Sequence, residues 1–319
     1  MTTNVLRADD RWWVEDRATG RAVEVATSAA STAELLADRK SVTEAATALA
    51  AGSAEAVVDV AELALQSPVT APCRVVAQMV NYRSHAKDSG FDPDTVPPTF
   101  FRKASSSITG PRSAVVRPAH VSLLDYEVEL GLVIGESLPI GTAVTDASLP
   151  SYVAGLVIGN DISARDVQLP KGQFYESKSY PTFTPLGPRL VLLEKDEFAR
   201  VQRLRLRLWV NDVLRQDRTL ADMIVHPARA LTLLARFQGL AAGDVLLTGT
   251  PGGTALKAPP KPVELIAGLL PAAVKWKTFL GRQAKNPEYL QHGDVITASI
   301  ATDDGAIDLG TQRTPVEHL

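Results

Sequence analysis

Three carboxylates alternate with apolar residues in Leu124-Asp125-Tyr126-Glu127-Val128-Glu129-Leu130, and the run continues into Leu132, Val133 and Ile134. Successive side chains of a strand point to opposite faces, so Asp125, Glu127 and Glu129 are expected to project together. Same-face neighbours then lie roughly 6–7 Å apart. Crowded anions inside a fold need a compensating cation, and a hard divalent metal with oxygen ligands supplies one. The same spelling also suits a solvated edge strand with an acidic outer face, and the segment alone leaves both readings open.

Other constellations surround this one. Asp161, in Gly159-Asn160-Asp161-Ile162-Ser163-Ala164-Arg165-Asp166, follows an apolar run and could complete a cation site with Glu127 and Glu129. Arg165 could then face an anionic substrate group in bidentate fashion. An N-cap aspartate followed by a surface Arg-Asp pair reads equally well. His85 and Asp88, three residues apart, share a helical face if Asn81 to Asp88 opens a helix. A histidine oriented by a carboxylate is a common general base, although a structural hydrogen-bonded pair has the same spacing. Lys178, among Ser177, Ser179 and Pro181, could be a cation aimed at a developing enolate or an exposed loop lysine. The Leu247-Thr248-Gly249-Thr250-Pro251-Gly252-Gly253 turn offers backbone N–H groups to a carboxylate but lacks the terminal Gly-Lys-Ser/Thr of a P-loop.

The elements that must position these residues are mainly strands. Arg74 to Val80, Ala114 to Arg117, Tyr126 to Ile134, Tyr152 to Ile158 and Leu190 to Leu193 are apolar and short. Arg203 to Val210 alternates with period two before the turn residues Asn211-Asp212. Helices are expected near Thr219 to Val225 and from Pro227 to about Phe237. Strands do not alternate regularly with long helices, so a doubly wound parallel fold is unsuited and a mixed or mostly antiparallel arrangement fits. The first seventy residues differ. Short strands, Arg11 to Val14 and Ala22 to Ala26, precede two capping-box spellings, Ser31-Thr-Ala-Glu34 and Ser41-Val-Thr-Glu44, and a helix ending at Gly52. The proline-punctuated Ser67 to Pro72 marks the expected boundary between a small α/β region, 1–71, and a catalytic domain, 72–319.

With 319 residues, 45% hydrophobic and 22% charged, the chain is globular in composition. A net charge of −3 gives no reason to expect nucleic acid. Cys73 is the single cysteine, so no intrachain disulfide forms and a reducing compartment fits. The N-terminal stretch has no apolar h-region and no run approaches a membrane span, so a cytoplasmic protein without a membrane partner is expected.

Taken in order, these pieces resemble the fumarylacetoacetate hydrolase family. The matching motifs are Asn-Tyr-x-x-His (81–85), Asp-Tyr-Glu-x-Glu-Leu (125–130), Asn-Asp-x-Ser-Ala-Arg-Asp-x-Gln (160–168), Ser-Lys-Ser (177–179) and Pro-Leu-Gly-Pro (185–188). Arg-Gln-Asp (215–217), Asp-Met-Ile (222–224), Thr-Gly-Thr-Pro (248–251) and Gly-Asp-Val-Ile (293–296) follow in the family's order. The resemblance implies a β-rich α+β fold, a mixed β-sandwich roll, that dimerises. It also implies a Mg²⁺ or Mn²⁺ ion, or Ca²⁺ in some members, on Glu127, Glu129 and Asp161, with Asp125 behind them. By motif position His85 matches the base or lid histidine, and Arg165, Gln168, Lys178 and Thr250 match substrate-contacting positions. His85 oriented by Asp88 is then the expected base, Lys178 and Arg165 the stabilisers of enolate and carboxylate, and Tyr82 a further expected substrate contact.

Four departures stand out. Asp88 replaces a common Glu, Met79 a common Gly, and Pro181 a common Asp. The Thr254 to Leu290 connection is unusually long, with six Lys/Arg against two Glu and a helix expected around Ala273 to Ala284. The expected activity is metal-dependent hydrolysis of a C–C bond in a 2,4-dioxo acid. A decarboxylase or isomerase of an oxo-diacid is the alternative, and an inactive oxo-acid-binding protein a more remote one. The basic segment is expected at the active-site mouth or a dimer edge.

Overall fold

The computed structural model describes residues 2–259 and 270–319, so part of the expected insertion, 260–269, lies outside the described residues. An eleven-stranded mixed sheet is built around the Val128–Ile134 strand. This strand pairs antiparallel with Val153–Asn160 on one side and with Val245–Leu247 on the other. Hydrogen-bonded on both edges and buried on both faces, it has the continuous apolar spelling of an interior strand. One face, with Leu130 and Leu132, packs on a five-stranded sheet that includes Leu204–Val210 and Val295–Thr302. The other, with Val133, packs with Leu35 and Val42 of the N-terminal helices. The chain is therefore a β-rich α+β fold.

Several local readings are recovered. Ser31 caps the Thr32–Ala37 helix in a full capping box, and Asn211 and Asp212 take the positive φ angles, 49° and 64°, of a tight hairpin turn. The second capping-box spelling fails: the Arg39–Ala50 helix starts earlier, capped by Asp38, which leaves Ser41 inside it. Asp38 wins because its carboxylate already sits at the end of the preceding helix and accepts from Ser41 N–H. Only a 3₁₀ turn, Leu220–Asp222, forms where a helix from Thr219 was expected.

The boundary at 71/72 is not a break in the sheet. Thr3–Ala8 pairs antiparallel with Leu190–Leu192, so the N-terminal strands extend the catalytic sheet. Glu15 grips Arg189 with both carboxylate oxygens, at 2.5 and 2.7 Å, across the same junction. Among the described residues no helix is long and apolar enough to cross a membrane.

Candidate active site

Register brings the acids together. Val128 lies opposite Asn160 and Glu129 opposite Gly159. Just beyond the ladder, Asp161 N–H donates to Glu127 C=O at 2.8 Å and Glu127 N–H donates to Asn160 Oδ1 at 2.9 Å. One oxygen each from Glu127, Glu129 and Asp161 falls within 4.8 Å of the others, and all three residues are buried. Asp125 does not join them. Its carboxylate accepts from Arg165 Nε and from the backbone N–H groups of Tyr126, Ala255 and Leu256. The expectation that all three alternating acids share one face holds only for Glu127 and Glu129. The ladder pauses between Leu124–Asp125 and Val128–Ile134, which lets Asp125 turn away.

Three cations answer these acids. Lys178 Nζ donates to Glu127 at 2.8 Å, Asp161 at 2.5 Å and Ser163 Oγ at 2.7 Å. Arg165 spans Asp125, Glu127 and Gln168. Lys103, which sequence reasoning missed, ion-pairs with Asp161 and donates to Phe183 C=O at 2.8 Å. It ends the Thr99–Lys103 strand, and nothing in Phe100-Phe101-Arg102-Lys103 separates a buried lysine from an exposed one. With Asp125 included, four carboxylates face three cations. Burial, with Asp161 and Glu127 nearby, pushes the Glu129 carboxyl well above the usual carboxylate range. Burial also acts to raise Glu127, but Lys178 and Arg165 outweigh it and hold its carboxyl low. Burial lowers the Lys103 ammonium, with Asp161 opposing, whereas the Asp161 and Glu127 anions overcome burial at Lys178 and raise it.

This hard-oxygen set, short of positive charge, suits a divalent cation, which would favour the ionised form of Glu129. Glu129 is already held from behind: Gly249 N–H donates to its Oε2 at 2.7 Å. That turn needs glycine, since Gly249 has φ +87° and a Cβ there would lie 2.8 Å from Asn81 Cβ. Asn81 locks the turn by donating to Thr248 and Val225 C=O and accepting from Val225 N–H.

Several expected roles are corrected. His85 lines the cavity above the acids, on the Arg83–Asp88 helix. Asp88 does not orient it: its carboxylate accepts from Gly253 N–H at 3.0 Å, and His85 Nδ1 is buried without a partner. The shorter Asp side chain is taken by the nearer glycine turn. Burial lowers the His85 pKa, with Glu127 opposing and Arg165 and Lys178 adding to the shift, which favours the neutral ring. Tyr82 is buried in the core and does not line the cavity, so it is packing rather than a substrate contact. Arg165 and Lys178 reach the cavity but spend donors on internal acids. Thr250 Oγ1 accepts from Gln216 and donates to Val128 C=O, which fixes the turn. Gln168 lines the cavity and its Oε1 accepts from Arg165. Gln78, not singled out from the sequence, also lines the cavity, with its buried Oε1 unpartnered. A single polar residue within Val75-Val76-Ala77-Gln78-Met79 was the available signal.

Residues 74–317 match the model of the fumarylacetoacetate hydrolase C-terminal domain. The chain belongs to the fumarylacetoacetate hydrolase family. It is 35% identical over 193 residues to the mitochondrial oxaloacetate tautomerase Fahd2a of Rattus norvegicus, covering 60% of this chain and 59% of that protein. It is 37% identical over 202 residues to a 2,4-didehydro-3-deoxy-L-rhamnonate hydrolase of Sphingomonas sp. strain SKA58, covering 63% of this chain and 69% of that one. The match to the first of these relatives spans under two thirds of its length. A solved probable 2-hydroxyhepta-2,4-diene-1,7-dioate isomerase from Mycobacterium abscessus superposes with a TM-score of 0.73 at 30% identity, covering 100% of this chain and 99% of that one. Proteins so named include tautomerases, hydrolases and isomerases, and this chain carries an acidic triad, Glu127, Glu129 and Asp161, that could hold a metal ion.

Proposed function

We propose that the protein is a Mg²⁺- or Mn²⁺-dependent enzyme that moves a proton on a 2-oxo acid, interconverting its keto and enol forms. The observation that carries this reading is His85, its buried Nδ1 without a partner, in the same cavity as the Glu127, Glu129 and Asp161 triad. Glu127, Glu129 and Asp161 would hold the ion, which supplies Lewis-acid polarisation of the substrate's 2-oxo group. The His85 imidazole, in its neutral form, would take the proton from C3 and pass it to the 2-oxo oxygen, so the keto and enol forms interconvert with no net change in protons. Gln78 and Gln168 present amides to the substrate's carboxylate and carbonyl oxygens. Lys178 and Arg165 hold Glu127 and Asp161 in place, and a bound divalent ion would turn the floor's deficit of positive charge into a surplus, which favours an anionic acid.

C–C hydrolysis of a 2,4-dioxo acid is the second reading, supported by the 37% identity to a hydrolase. It asks more of His85, which must then activate water without a carboxylate to fix its ring. Following the enol absorbance of oxaloacetate and the loss of acylpyruvate absorbance, with Mg²⁺ or Mn²⁺ and with chelator, tests both. Tautomerisation lost with chelator, and reduced roughly 10²–10⁴-fold in His85→Ala, is the expected result. Metal-dependent acylpyruvate cleavage without enol exchange would favour the hydrolase. A homodimer, the family expectation, belongs to this proposal and is checked by light scattering.

A further inference from the structure

The cavity above the acidic floor is much larger than the head group of an oxo acid. It encloses about 580 Å³, a volume suited to a ligand of drug size. Beyond His85 and Gln78 its walls change character. Phe101 and Phe174 pack together on one side, their rings tilted by 36° with centroids 5.2 Å apart. Leu256, Trp276 and Phe279, contributed by the Thr254–Leu290 segment, line the cavity as well, and the two rings meet edge-on at 6.1 Å. No carboxylate other than the three on the floor lines this cavity among the described residues. Three cations among the described residues lie in the lining beyond the floor, Lys257, Lys275 and Arg282; Lys257 is paired with Glu288 at 3.5 Å and Lys275 lies over the Trp276 ring at 5.6 Å.

We infer that this outer chamber receives the distal end of the substrate, and that this end is bulky and apolar. The substrate class is then a 2-oxo or 2,4-dioxo acid carrying an aryl or branched alkyl group, rather than a small diacid. This rests on the oxo-acid reading of the floor. A short, hydrophilic acid would leave the aromatic walls against water. A phenyl group placed between them removes apolar surface from both partners and tightens binding by roughly tenfold to hundredfold. The segment that departs most in length from the family pattern supplies three of these wall residues, so the preference is a property of this chain's own insertion.

The test compares binding of phenylpyruvate, pyruvate and 2-oxoglutarate to the full-length, Mg²⁺-loaded protein by titration calorimetry. Phenylpyruvate is expected to bind at least about tenfold more tightly than pyruvate. Trp276→Ala combined with Phe279→Ala should cut that ratio to about threefold or less. Leu256→Asn, at a separate point on the wall, should cut it too, which guards against a helix that fails to fold. In turnover, kcat/KM for benzoylpyruvate relative to oxaloacetate should fall in the same variants. Equal affinity for phenylpyruvate and pyruvate would overturn the chamber assignment while leaving the floor intact. Tighter binding of 2-oxoglutarate than of phenylpyruvate would overturn it in favour of a charged tail. Binding of none of the three acids, with Mn²⁺ still taken up, would overturn the oxo-acid reading itself and this inference with it.

Discussion

At the scale of single residues, charge balance at the floor governs both metal binding and stability. Lys178 bridges Glu127 and Asp161 where a cation belongs. Lys178→Met leaves Glu127 with Arg165 alone and Asp161 with Lys103 alone, and loss of one partner from a buried ion-pair network costs up to about 3–5 kcal/mol. The metal-free variant should melt at lower temperature than the parent, and Mn²⁺ should recover more stability in the variant; equal metal-induced shifts in differential scanning calorimetry would contradict this. Glu129→Ala has the opposite character. It removes a ligand whose carboxyl burial already disfavours as an anion, so Mn²⁺ affinity should drop at least tenfold while the metal-free fold persists. Unchanged Mn²⁺ titration would place the ion elsewhere. Glu127 and Glu129 were legible from strand alternation and motif order, and Asp161 from its place after an apolar run and from motif order, while the same alternation wrongly included Asp125. Lys103 and Gln78 were not, since their roles come from pairing across the fold and from a cavity no local spelling describes.

At the scale of elements, the Arg83–Asp88 helix and the Thr248–Gly253 turn behave as one unit. Asp88 accepts from Gly253 N–H, and Ser84 Oγ accepts from Gly252 N–H at 2.9 Å. Gly253 has φ +105°, and a Cβ there would strike Arg215 C=O at 2.0 Å, so the turn has no freedom to relax by substitution. Asp88→Asn retains an acceptor and should keep most activity, whereas Asp88→Ala should raise KM and slow kcat together as the turn loosens. If Asp88→Asn instead reproduces the His85→Ala defect, the carboxylate orients the ring after all. The helix itself was readable from sequence, and the pairing within it was not. Three-residue spacing puts His85 and Asp88 on one face but does not say which neighbour reaches the carboxylate first.

At the scale of the whole molecule, the N-terminal 71 residues are structurally part of the catalytic sheet. Their removal would expose the Leu190–Leu192 edge, uncover Val133, Val157 and Leu247, and strand Arg189 without Glu15. An unpaired edge beside an apolar face is an aggregation template. Residues 72–319 expressed alone should therefore be insoluble or lack a cooperative unfolding transition, and a soluble, metal-binding fragment would show that the N-terminal strands are dispensable. The composition shift near Pro72 is real in the sequence, but composition cannot reveal that two segments share a hydrogen-bonded ladder.

Asp125 links two parts of the molecule. One oxygen is shared by Arg165 and Leu256 N–H, the other by Tyr126 N–H and Ala255 N–H. The chemistry of the floor and the first residues of the long segment thus hang on the same carboxylate. Substitutions farther along the segment can accumulate while the floor stays intact, so new substrates can be explored during divergence at little risk to catalysis. Asp125 itself has no such latitude. A lineage that changes its substrate should rewrite Trp276 or Phe279 long before it touches this one aspartate.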